Sequence, residues 1–113
     1  MVDRALKVSS ELLDGCRRGE EKAQRALFDA TARDVHRIVC RLAYRDDDPE
    51  DLVQDVYLAL WKSLGTFRGG SKFSSFLYGV CLNVVRKHRR SWARFARLRR
   101  EVQDEVRSAS SHS

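Results

Sequence analysis

Apolar residues recur along this chain at three- and four-residue intervals, and polar residues fill the positions between them. No run alternates with the period of two that a half-buried strand requires. With one proline and six glycines as punctuation, the pattern predicts an all-α domain, a compact bundle of about four helices. The first helix is expected from Ser9 or Ser10 to Arg18, with Gly19 as its stop. The second is expected from about Glu20 to Tyr44, with Ala23, Leu27, Ala30, Val35, Ile38, Val39 and Leu42 as its buried stripe. Glu20 and Glu21 in its first turn suit the helix dipole, and Arg45-Asp46-Asp47-Asp48 makes the following turn.

The third helix carries the clearest start signal. Asp48 is a natural N-cap, Pro49 fits the first helical position where no amide donor is needed, and Asp51 follows in the first turn. On a helical wheel Val53, Val56, Leu60 and Leu64 gather with Tyr57 and Trp61 as a core face. Asp51, Gln54, Asp55, Leu58 and Lys62 fall on the opposite side. Phe67 to Lys72, with Gly69 and Gly70, reads as a loop, and Ser71 or Ser74 is expected to cap the fourth helix. That helix is expected to bury Phe73, Phe76, Leu77, Val80 and Val84, with Gly79, Asn83, Arg86 and Arg90 on a different face. A flexible N-terminus over residues 1–9, a domain over 10–100 and a linker or disordered tail over 101–113 complete the expected organisation.

Charge changes this picture by marking one end of the chain. Residues 84–107 hold nine basic groups, Arg86, Lys87, Arg89, Arg90, Arg94, Arg97, Arg99, Arg100 and Arg107, against Glu101, Asp104 and Glu105. Residues 1–83 balance at 13 basic and 13 acidic, so the net charge of +6 lies entirely in the C-terminal stretch. Such clustering suggests a polyanionic partner, a solvated basic helix being the plainer alternative. Trp92 and Phe95 among these arginines are expected to anchor the helix to the body, base stacking being the other option.

The remaining composition excludes more than it assigns. Cys16, Cys40 and Cys81 are odd in number and form no CxxC pair, which fits a reducing cytoplasm better than a disulfide framework. His36 and Cys40 share a face at i, i+4, but two ligands make a poor zinc site, and buried or half-buried side chains are expected there. No metal and no cofactor is expected. Phe73 to Val85 is the longest uncharged stretch, too short and too polar for membrane insertion. Neither a phosphate-binding glycine loop nor a nucleophile with a base at useful spacing appears, so the chain reads as a binding module, not an enzyme.

Two surfaces remain as candidates. Leu58 ringed by Asp51, Gln54 and Asp55 has the apolar centre and polar rim of a protein interface, and the carboxylates suit arginine-rich partners; a solvated face with an incidental leucine is the alternative. The second surface comprises Phe67, Gly69, Gly70, Ser71, Lys72, Phe76, Asn83, Arg86 and Arg90. Phe67 offers a plate for an unstacked base, or else plugs the core, while Asn83 can read base edges and the arginines attract phosphate.

These residues, in this order, resemble region 2 of bacterial sigma factors, most closely the extracytoplasmic-function (ECF) group. The resemblance covers roughly Ser10 to Arg90 and is most specific over Pro49-Glu50-Asp51-Leu52-Val53-Gln54-Asp55-Val56-Tyr57-Leu58-Ala59-Leu60-Trp61 and Phe67-Arg68-Gly69-Gly70-Ser71-Lys72-Phe73-Ser74-Ser75-Phe76-Leu77-Tyr78 with Asn83. It implies docking on the clamp coiled coil of the RNA polymerase β′ subunit through Asp51, Gln54, Asp55 and Leu58. It also implies capture of a flipped-out base of the promoter −10 element by the Phe67–Lys72 loop, Phe76 and Asn83, with Arg86 and Arg90 along the non-template strand. An anti-sigma factor is a further expected partner. Asp55 stands where glutamate is usual, Phe76 replaces the common tryptophan, and Gly79 and Leu82 occupy positions where arginines are frequent. The −35-reading domain of such factors does not follow in these 113 residues, and the expectation is a domain ending in the inter-domain linker, a truncated paralogue being the alternative. Two rival readings stay open: a stand-alone basic helical nucleic-acid module, and an interaction domain held by an anti-sigma partner.

Overall fold

The computed structural model describes residues 8–44, 47–69 and 72–111. Among them four α-helices follow one another, α1 Ser10–Arg17, α2 Glu21–Leu42, α3 Pro49–Ser63 and α4 Phe73–Ser111, with a 3₁₀ turn over Leu64–Thr66 between the last two. No strand occurs among the described residues, and none of their helices is long and apolar enough to cross a membrane.

Each start and stop has a local cause. Ser9 caps α1 by accepting the Leu12 amide at 3.1 Å. Gly19 ends it in a Schellman arrangement: φ is +77°, its amide donates to the Cys16 carbonyl, and the Glu20 amide donates to that of Gly15. Asp48 caps α3 through the Glu50 amide at 3.0 Å, with Pro49 at the first helical position as the sequence predicts. Ser74 lies one residue inside α4, whose first turn closes on the Lys72 carbonyl, and so does not occupy the capping position. Ser71, the other expected cap, lies outside the described residues, as do Arg45, Asp46 and Gly70.

α1 packs on α2, α2 on both α3 and α4, and α3 on α4. Leu27, Val35, Val39, Leu52, Val56, Leu60, Leu64, Leu77, Cys81 and Val85 are fully buried between them. Three helices depart in detail from the expected faces. In α4, Phe76 and Val84 are only half-buried, and Cys81 and Val85 are buried instead. Ala30 is exposed and its place in the α2 stripe goes to Thr31 and Asp34, both buried. In α3 the core is rotated back toward Leu52, leaving Val53 and Trp61 only half-buried. The α1–α2 contact is close: a β-carbon at Gly15 would sit 2.8 Å from the Ala23 methyl, so only glycine fits there without displacement.

α4 does not stop near Arg100. It continues as helix to Ser111, where the sequence suggested a linker or tail from residue 101. Residues 91–111 contain neither proline nor glycine, and more than half of them are Arg, Ala, Glu, Leu or Gln, all strong helix formers. Arg97 with Glu101 and Arg100 with Asp104 add opposite charges at i, i+4. This 39-residue helix runs past the bundle and stretches the molecule to 68 × 28 × 24 Å.

Candidate functional site

α3 presents Asp51, Gln54, Asp55, Leu58 and Lys62 to solvent, as its pattern predicts, with Leu58 59% exposed. The face is not flat. Leu58 forms a ridge between two open grooves. On one side, Gln54 and Leu58 join Phe28, His36, Val53 and Tyr57 around a cavity of about 610 Å³ between α2 and α3. On the other, Asp55 and Leu58 meet Lys62, Lys87, His88 and Ser91 around about 340 Å³ between α3 and α4. The carboxylate of Asp55 thus borders the basic face of α4.

The floor beneath Leu58 is fixed by Tyr57. Its ring stacks between Phe28 and Trp61 at centroid distances of 4.7 and 5.8 Å. Its buried hydroxyl lies 2.7 Å from Thr31 Oγ1, and Thr31 in turn donates to the Leu27 carbonyl at 2.8 Å. Burial, only partly offset by the Thr31 hydrogen bond, raises the pKa of this phenol. The helix face offered to solvent is therefore held from behind by a satisfied polar pair.

The second surface is divided between a cluster and a groove. Phe67 is half-buried and packs on Phe73 and Phe76, with centroids 5.7 and 5.0 Å away. The core-plug alternative accounts for this contact, and it also brings Phe67 against Phe76. Phe76, Gly79 and Asn83, successive on one face of α4, line an open groove of about 450 Å³ with Thr66, Ser75 and Lys87. A side chain at Gly79 would meet nothing within 4 Å, so the groove has room at this position. Arg86 and Arg90 are exposed further along the same side. Gly69 takes φ +77°, a left-handed turn that glycine enters without strain, and exposed Lys72 precedes α4. Gly70 and Ser71 lie outside the described residues.

Sequence reasoning missed the residue that holds this loop. Arg17 on α1 donates from Nε to the Leu64 carbonyl at 3.0 Å and from Nη2 to the Phe67 carbonyl at 2.7 Å, while Asp14 pairs with Nη1 at 2.7 Å. An arginine 50 residues away gives no local signal of this role. Lys87, four residues after Asn83 on a helix, could have been placed beside it by spacing alone.

Two other expectations are corrected. His36 and Cys40 are exposed, their sulfur–nitrogen distances being 3.7 and 3.8 Å, with His36 on the open side of the groove between α2 and α3. Cys16 and Cys81 are the buried thiols. Trp92 and Phe95 do not anchor α4 to the body; they are 52% and 53% exposed, since α4 has already passed its last partner helix.

An all-α bundle with a capped acidic helix, an aromatic loop and a long basic helix defines a class, and comparison with known proteins gives the family. Residues 27–95 match the family described as Sigma-70 region 2, more than half of the chain, and the chain belongs to that family. It is similar to the RNA polymerase sigma-H factor of Pseudomonas aeruginosa, 24% identical over 78 residues, which is 69% of this chain and 40% of that protein. The ECF RNA polymerase sigma-E factors of Haemophilus influenzae and Escherichia coli are each 29% identical over 77 residues, 68% of this chain and 40% of theirs. The chain therefore spans less than half the length of these relatives.

Proposed function

We propose that this domain acts in transcription initiation, docking on core RNA polymerase through α3 and receiving an unpaired base of the promoter −10 element in the α4 groove. Docking uses Asp51, Gln54, Asp55 and Leu58 against the β′ clamp coiled coil, where carboxylates and an amide around an apolar centre match a basic helical partner. The observation that carries the nucleic-acid half is the single groove lined by Phe76, Gly79, Asn83 and Lys87 and continued by Arg86 and Arg90. Its aromatic wall offers stacking, its amide offers base-edge hydrogen bonds, and its cations lie where a strand backbone would run. A base taken out of the stack needs such contacts to offset lost pairing. The acidic and basic surfaces adjoin at Asp55 and Lys87, which lets one domain hold polymerase and strand together. An anti-sigma factor would act by covering these same faces.

Fluorescence anisotropy with single-stranded and duplex oligonucleotides of the same sequence tests the groove. The single strand should bind more tightly. Asn83→Ala should weaken that binding roughly 5- to 20-fold, the worth of a lost base-edge contact. Arg86→Ala should lower the slope of log affinity on log salt by about 0.7, the effect of one phosphate contact on a single strand. Equal affinity for duplex, or indifference to Asn83→Ala, contradicts the groove reading.

A further inference from the structure

The α4 groove has a second wall, made by Ala59 and Ser63 at the end of α3 and by Thr66 in the 3₁₀ turn that follows. The buried face of α3 fixes its own residues, but the turn has no such support. Turns of this kind are short and their hydrogen bonds are poorly aligned. This one closes on a backbone bond of 3.2 Å from the Phe67 amide to the Leu64 carbonyl. Yet it carries Thr66 to the groove and, one residue on, sets the Phe67 ring against Phe73 and Phe76. The aromatic wall therefore takes its position from the backbone of residues 64–67.

Arg17 holds that backbone at both ends. Its Nε donates to the Leu64 carbonyl at 3.0 Å and its Nη2 to the Phe67 carbonyl at 2.7 Å, so one planar guanidinium bridges the two carbonyls that bracket Thr66. Asp14 steadies the fork from the third nitrogen at 2.7 Å. The positive charge also sits beyond the C-terminus of α3, where the helix dipole favours a cation. Arg17 reaches from a firm base: Leu13, Gly15 and Cys16 of α1 are buried, and Gly15 packs closely on Ala23. α1 precedes residue 27, where the family match begins. We propose that Arg17 is a positioning residue for single-strand capture: from α1 it pre-sets the backbone of residues 64–67, so that Thr66 and the Phe67–Phe76 wall stand in place before the strand arrives. The proposal rests on the α4 groove being the strand site. Holding a loop in its bound conformation strengthens binding by removing the ordering cost from the binding step. All three nitrogens of Arg17 are engaged by protein oxygens, so it acts through the loop and not on the strand.

Fluorescence anisotropy of the 113-residue chain with a single-stranded oligonucleotide, repeated over a salt series, separates the two roles an arginine could play. Arg17→Ala should weaken binding roughly 5- to 10-fold, the scale on which ordering one or two side chains costs affinity. The factor should be the same at every salt concentration. A lost phosphate contact would instead lower the slope of log affinity on log salt by about 0.7. Arg17→Lys keeps the charge but not the fork, and should bind as weakly as Arg17→Ala; it also stands in should the alanine variant not fold. Far-UV circular dichroism confirms that each variant is folded. Strand affinity unchanged in the folded variants overturns the proposal, whatever their stability. A lowered salt slope in Arg17→Ala, or full affinity in Arg17→Lys, overturns it in favour of a direct phosphate contact. If the unaltered chain binds no single strand, the groove reading itself fails and the proposal falls with it.

Discussion

At the scale of single residues, one buried polar pair makes an uneven demand on its two members. Thr31 and Tyr57 share a hydrogen bond sealed from water, so the two members are not equivalent. Tyr57→Phe removes the phenol but leaves Thr31 bonded to the Leu27 carbonyl, and should cost about 1 kcal/mol by urea unfolding. Thr31→Val strands the buried Tyr57 hydroxyl and should cost more, toward about 3 kcal/mol. The reverse order would contradict the assigned network. A second prediction follows from protons. Burial pushes the Cys81 thiol up to about 12 from an ordinary value of 9.0, and the Tyr57 phenol is raised as well. The folded state therefore holds these protons more tightly than the unfolded chain. Their contribution is complete below pH 9 and is lost as pH climbs from about 9 toward 12. Unfolding free energy should fall over that window, and less steeply in Cys81→Ala; a flat profile in both proteins would contradict the burial account. The Thr31–Tyr57 pair was not legible in the sequence, because a threonine between two alanines, with Asp29 and Arg33 beyond them, looks like surface until its partner is known.

At the scale of elements, the caps were legible and the long-range ties were not. Asp48-Pro49 announces the start of α3 through backbone donors that are unsatisfied at every helix N-terminus, a purely local requirement. Gly19 announces the end of α1 in the same way. The Phe67–Lys72 loop could be placed by its glycines, but not the staple that holds it. Arg17 reaches the Leu64 and Phe67 carbonyls from a helix far back in the chain. Arg17→Ala should therefore speed hydrogen exchange at the Phe67 amide roughly tenfold, the worth of about one charge-assisted hydrogen bond, while amides of the α3 core change little. Arg17→Lys should not restore protection, since an ammonium cannot serve two carbonyls and a carboxylate in the fixed fork of a guanidinium. Unchanged exchange in Arg17→Ala would show that the loop stands without it. The extent of α4 was misread for the opposite reason. A fading core pattern marks where packing ends, and helix propensity carries the backbone well beyond that point.

At the scale of the whole molecule, the acidic face of α3 and the basic face of α4 lie side by side. The outward set Asp51, Gln54, Asp55 and Leu58 was readable from one helical wheel, because the apolar stripe of a helix decides which face turns to solvent. The grooves beside it were not, since each needs a second helix: α2 supplies Phe28 and His36, and α4 supplies Lys87 and His88. Similarity to sigma factors extends over residues 27–95, the stretch that contains both surfaces. The central claim is that α3 is a docking face for polymerase, and one titration addresses it most directly. A β′ clamp coiled-coil fragment should bind this domain saturably at moderate salt, and Gln54→Ala with Asp55→Ala should weaken binding at least about tenfold while circular dichroism stays unchanged, as expected when central polar contacts of an interface are removed. Absence of binding by the intact, folded domain, or equal binding by the double variant, would contradict it.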